Sequence, residues 1–174
     1  MPSKKRCGVG ERFCMKPEAA ARASLCAVLR HDLEALRRMD AELAFLPALA
    51  PQIGTFRDWA AAGYLLHNLY NALENSFEQI SRTFENHVVE VSRWHRELLD
   101  KMFLEIPGVR PAVLTETLRP LLHDLRGFRH LFRHSYDLQL DASRLARLAD
   151  GWNSGKKELF AALQVFSDWL LSDP

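Results

Sequence analysis

Apolar residues recur at spacings of three and four along most of this chain, and nowhere alternate for long enough to make a sheet. Leu25, Val28, Leu29, Leu33, Leu36, Met39, Leu43 and Leu46 trace one such stripe; Trp59, Leu66, Leu69, Leu73, Phe77, Ile80 and Phe84 trace another. This is the period of a helix with one buried face. The best β-branched cluster, Val88, Val89 and Val91, is too short to build a sheet. The pattern predicts an all-α protein, a helical bundle of about five helices, mostly antiparallel because the connections are short.

Punctuation residues set the expected boundaries. Pro17 suits a first helical turn and Pro47 ends the first helix. Thr55 is a candidate N-cap for a second helix running to about His87. Ser92 can cap a third over 93–104, before Pro107, Gly108 and Pro111 interrupt. A fourth covers 114–136, with Pro120 marking a kink or a restarted first turn. Asp141 can cap a fifth over 142–171, which Gly151 and Gly155 are placed to bend or split. Residues 1–16 read instead as a basic, disordered tail, with Met15 an alternative start, so the helical domain is expected over 17–174.

The chain of 174 residues carries 23 Lys and Arg against 22 Asp and Glu, a net charge of +1. Overall charge therefore does not advertise a nucleic-acid partner, and a basic site must be local. The three cysteines, Cys7, Cys14 and Cys26, form neither a disulfide framework nor a Cys-x-x-Cys pair, which favours reduced thiols. No apolar run has the length of a signal peptide or a membrane-spanning helix. The expectation is a cytoplasmic protein with no membrane partner.

One segment concentrates chemistry. Leu118 to Tyr136 reads LRPLLHDLRGFRHLFRHSY. On a helix, Leu121, Leu122, Leu125, Phe128 and Phe132 form the apolar face, while Arg126, Arg129, Arg133 and Tyr136 share another. His123, His130 and His134 form a neighbouring stripe. Imidazoles move protons near neutral pH, and guanidinium groups bind phosphate and offset charge on a phosphorane. RNA supplies its own 2′-hydroxyl nucleophile, so such a kit suits phosphodiester cleavage. Two other readings use the same residues. The stripe can be a solvated surface pairing with Asp124 and Asp137, or His130 and His134, four apart, can bind a metal ion, although no His-Glu-x-x-His is present.

The spacing Arg129, four residues, His134, one residue, Tyr136 resembles the R-x4-H-x-Y signature of the HEPN superfamily, and in particular the HepT toxins of HEPN/MNT toxin–antitoxin pairs. The resemblance implies a metal-independent endoribonuclease, without cofactor, acting as a homodimer whose motif helices face each other. It implies that Arg129 and His134 are the catalytic pair, His134 handling a proton and Arg129 the scissile phosphate of an RNA, with tRNA as substrate. It implies further that a nucleotidyltransferase antitoxin modifies Tyr136 by AMPylation, placing bulk and negative charge in the cleft. The family usually has a small polar residue after the motif arginine; here it is His130. Arg126 and Arg133 lie outside the motif and can widen a phosphate-binding surface or serve solubility. The alternative within the same superfamily is a non-catalytic module for binding RNA or nucleotides or for assembly. A helical structural protein with an Arg/His interface is the alternative outside it.

The second helix carries a polar stripe inside an apolar run: His67, Asn71, Glu74 and Glu78 fall on one face, flanked by Asn68 and Asn75. It is either a solvent-facing edge, or a face on which Glu74 or Asn71 orients Arg129 or His134. Tyr64 and Tyr70 can stack on bases or belong to the core rim. No phosphate-binding glycine loop, dinucleotide fingerprint or nucleophile elbow occurs, and the nucleotidyltransferase pattern of a Gly-Ser followed by Asp-x-Asp is absent.

Overall fold

The computed structural model describes residues 19–46, 54–85, 94–134 and 141–172, giving backbone alone for Trp94 and His134. It contains five α-helices: α1 (Ala19–Phe45), α2 (Phe56–Glu85), α3 (Trp94–Met102), α4 (Arg119–His134) and α5 (Ala142–Leu171). The described residues form no sheet, and their one β-bridge joins Ile106 to Arg110. None of their helices is long and apolar enough to cross a membrane. The all-α bundle expected from periodicity is the fold observed.

The central element is α2, which packs against each of the other four helices. Its sequence explains this: Ala62, Leu66, Leu69, Leu73, Phe77 and Ile80 form one fully buried stripe, which the buried Gly63, Tyr70, Glu74 and Ser81 on one side and Ser76 on the other widen. Truncating one such leucine to alanine costs about 2–5 kcal/mol. The start of α2 is a reciprocal cap. The Thr55 backbone N–H donates to Asp58 Oδ2 at 2.7 Å, and the Asp58 N–H approaches Thr55 Oγ1 at 3.4 Å. Asp141 caps α5 by accepting from the Arg144 N–H at 3.1 Å.

Three boundaries differ from expectation. The third helix stops at Met102, where i to i+3 hydrogen bonds to Phe103 and Leu104 tighten the last turn. The fourth begins at Arg119, preceded by a 3-10 turn over Glu116–Leu118. A continuous helix through Pro120 would lose the hydrogen bond to Glu116 and drive the ring into that turn, so the helix restarts with Pro120 in its first turn. The fifth runs unbroken through Gly151 and Gly155 rather than splitting there. Gly155 instead lets α4 approach: a Cβ there would stand 2.7 Å from the Leu121 side chain. Ser92, Cys7, Cys14 and the tail 1–16 lie outside the described residues.

The segment between α3 and α4 is fastened from inside. Pro107 and Gly108 (φ 73°) make a turn closed by Val109 N–H to Ile106 C=O at 3.0 Å. The turn delivers the buried Arg110 to Glu85 at the end of α2, at 2.6 Å, and to the carbonyls of Lys101, Leu104 and Pro111. Burial alone would raise the Glu85 pKa; hydrogen bonds from Arg110 and Lys101 outweigh it and hold the carboxyl below its ordinary value. This staple fixes where α3 lies, and α3 forms one wall of the pocket described next.

Candidate functional site

The apolar face of α4 is placed as the sequence implies. Leu122, Leu125 and Phe128 are buried, and Phe132 is half-buried against α2. The close approach is made at Gly63, where a Cβ would stand 2.9 Å from the Phe132 ring. The same ring lies 5.2 Å from the His67 ring, centroid to centroid. With that face down, Arg126, Arg129, His130 and Arg133 are carried round to the side and top of the helix.

Arg129 turns inward. Its Nε donates to Asn71 Oδ1 at 2.7 Å, and a terminal nitrogen lies 2.7 Å from Glu74 Oε2. Asn71 and Glu74 are three apart on α2, so both reach one guanidinium from the same helical face. The second oxygen of Glu74, Oε1, stands 2.7 Å from His95 Nδ1 on α3. Glu74 is only 7% exposed. A buried lone carboxylate is costly, and here each oxygen faces a cationic or protonatable partner. Three helices therefore meet at one carboxylate.

These groups border an open pocket of about 720 Å³. Its α3 wall is His95, Arg96 and Glu97; its α4 wall is Arg126, Gly127, Arg129 and His130. Three arginines outnumber Glu97 at the lining and Glu74 beneath it, leaving the mouth electropositive by one charge. Arg126 is partly buried, and its Nε has no hydrogen-bond partner among the described residues. The two contacts of Arg129 use a minority of its five N–H donors. The arrangement can hold an anion with planar, multivalent donors while an imidazole stands beside it.

Other residues of the predicted set fall elsewhere or are described only in part. Arg133, one turn after Arg129, is exposed and does not line the pocket. His134 closes α4, described by its backbone, and Tyr136 lies outside the described residues. His123 pairs with Asp100 at 3.1 Å, beside Arg119, as a helix-to-helix contact rather than a pocket residue. The polar stripe of α2 is not a solvent-facing edge at Glu74, and Glu78 pairs with Arg82 on its own helix. Tyr70 is 1% exposed and is not available to stack on a base, whereas Tyr64 is exposed. Burial first, and the Glu74 charge next, push the Tyr70 hydroxyl well above its ordinary pKa. Burial of the ring, then the charges of Arg129 and Arg133, hold His67 below the ordinary histidine value.

Sequence reasoning missed His95 and Arg96. Nothing in their spacing ties them to residues on α2 or α4; the signal was indirect, a carboxylate in an apolar run that needed a second partner. Among the described residues, no three or more His, Cys, Asp or Glu side chains come together in a way that could hold a metal ion.

The family model described as HepT-like protein matches residues 61–170, from the second turn of α2 to the end of α5. No curated protein and no solved structure matches the chain.

Proposed function

The chain belongs to the HepT-like family of the HEPN superfamily, and from that premise we propose that it is a metal-independent endoribonuclease toxin cutting RNA, with tRNA the first substrate to test. The observation that supports this reading is Arg129: a guanidinium held rigidly by Asn71 and Glu74 at the edge of an electropositive pocket. A group fixed before substrate arrives stabilises a phosphorane without reorganising at the moment of reaction.

In this reading Arg129 binds the scissile phosphate and offsets the charge that grows on its oxygens. His134 moves a proton at the reacting centre. Arg126 and His130 line the approach, and Arg133 extends it. The 2′-oxygen bonds to phosphorus as the bond from phosphorus to the 5′-oxygen breaks, leaving a 2′,3′-cyclic phosphate and a 5′-hydroxyl. A homodimer would present two such sets together. Tyr136 follows α4 by two residues. AMPylation there by a nucleotidyltransferase antitoxin would add a phosphate and repel RNA.

The test is purified protein, confirmed unmodified by intact mass, incubated with total tRNA in EDTA. Wild type is expected to cut, with Arg129→Ala and His134→Ala each slower by roughly 10²–10³-fold. Intact tRNA with unmodified wild type overturns the reading in favour of a binding module. Sedimentation at micromolar concentration checks the dimer.

A further inference from the structure

We propose that Arg126, supported by Arg96, forms a second phosphate subsite between α3 and α4, which holds the phosphate next to the scissile one in a single RNA strand. The choice of neighbour rests on the ribonuclease reading above; the affinity for a phosphodiester rests on the pocket itself.

The two inner arginines of α4 differ in what holds them. Arg129 is tied to Asn71 and Glu74, each at 2.7 Å, so its charge is matched inside the protein. Arg126 is partly buried, and its withdrawn Nε–H meets no acceptor among the described residues. Its terminal nitrogens join no hydrogen bond or ion pair with them either, and the side chain lines the pocket. An arginine keeps its charge at any working pH, so no loss of a proton relieves the cost of that burial. A phosphate oxygen on the terminal nitrogens is the charged acceptor that suits their fork.

Depth and charge agree with this. Burial and then the Glu74 charge raise the pKa of the enclosed Tyr70 hydroxyl, and Arg126 opposes them more strongly than Arg129 does. The unmatched guanidinium therefore stands toward the floor of the pocket and not out on its rim. From the facing wall Arg96 adds an exposed cation, also without a partner among the described residues. With Glu74 set against Arg129, and Glu97 against one of the other two arginines, one positive charge is left over. One phosphodiester carries one negative charge.

Spacing identifies the phosphate. Arg126 and Arg129 are three apart on α4, which separates their Cβ atoms by about 5–6 Å, comparable to the step between successive phosphates of a strand. With Arg129 on the scissile phosphate, Arg126 faces the adjacent one. Arg133, one turn the other way, lies outside the pocket. Two phosphates held at two fixed points set the register of the strand, so this subsite decides which bond reaches Arg129.

The experiment uses full-length protein in EDTA and a 2′-O-methyl oligonucleotide copied from tRNA, which cannot be cut. A cleavable version carries a single ribose at a cleavage site mapped on tRNA. In further versions one phosphate flanking that site, on either side in turn, is a neutral methylphosphonate. Arg126→Gln is expected to melt no lower than wild type, because the guanidinium has no internal partner to lose. It is expected to bind the 2′-O-methyl oligonucleotide about tenfold more weakly, with Arg126→Lys in between and Arg96→Gln losing less. On the cleavable strand the loss falls in KM and not in kcat. One of the neutral linkages is expected to weaken wild type by about tenfold and Arg126→Gln no further. Undiminished affinity in Arg126→Gln, a melting temperature several degrees lower, or an equal penalty from the neutral linkages in variant and wild type overturns the proposal and leaves the ribonuclease reading standing. Binding that depends on Arg126, with no cleavage by wild type, overturns the ribonuclease reading and keeps the phosphate subsite. A wild type that binds no oligonucleotide overturns both.

Discussion

His67 is surrounded by reasons to stay uncharged: its ring is partly buried, and Arg129 and Arg133 repel a proton on it. At neutral pH it is neutral in both folded and unfolded chains and contributes nothing. As pH falls through the ordinary histidine value, the unfolded chain takes up a proton that the folded chain resists, so stability is lost on acidification. His67→Phe, which can keep the ring contact with Phe132, is expected to lose less stability than wild type between neutral and mildly acidic pH; urea midpoints at the two pH values check this. The residue scale is also where sequence reading is weakest. That Asn71 and Glu74 share a face follows from their spacing, but their contact with Arg129 is made across two helices. Tyr70 and Tyr64 are the same residue type on the same helix, and only the packing of neighbours decides that one is buried and the other exposed.

Elements are better specified than their ends. Periodicity placed all five helices, while α3 and α4 each differ at a terminus because turn chemistry and Pro120 act locally. Gly151 and Gly155 looked like breaks in α5 and are close-contact positions, since a helix flanked by good packing tolerates glycine at a cost of about 1 kcal/mol each. Gly63 plays the matching part between α2 and α4. Gly63→Val is expected to destabilise the protein by about 1–3 kcal/mol, read by urea unfolding. In the ribonuclease reading it should also slow RNA cleavage more than it weakens RNA binding, because the Phe132 end of α4 must shift and carries Arg129 off its contacts with Asn71 and Glu74 while leaving the local charge unchanged.

For the whole molecule, a net charge of +1 means that, in the ribonuclease reading, attraction to RNA must come from a local cluster and not from a general field. If Arg126, Arg129 and Arg133 each neutralise one phosphate of a single strand, log affinity should fall with log salt with a slope of about −2 per protomer. Arg133→Ala should flatten that slope by about 0.7, measured with the 2′-O-methyl oligonucleotide across a salt series. The fold was legible because helical periodicity is a local signal repeated along the chain. The pocket was half legible: its α4 wall lies within one continuous motif, and its α3 wall does not.

The meeting of α2, α3 and α4 at the Glu74 carboxylate has a consequence for the life of the polypeptide. Asn71 and Glu74 are made first, His95 later, and Arg129 later still. Until the last of these has emerged from the ribosome and folded back, the pocket has no guanidinium and no fixed geometry. A chain of this design therefore completes its pocket only as its fourth helix docks.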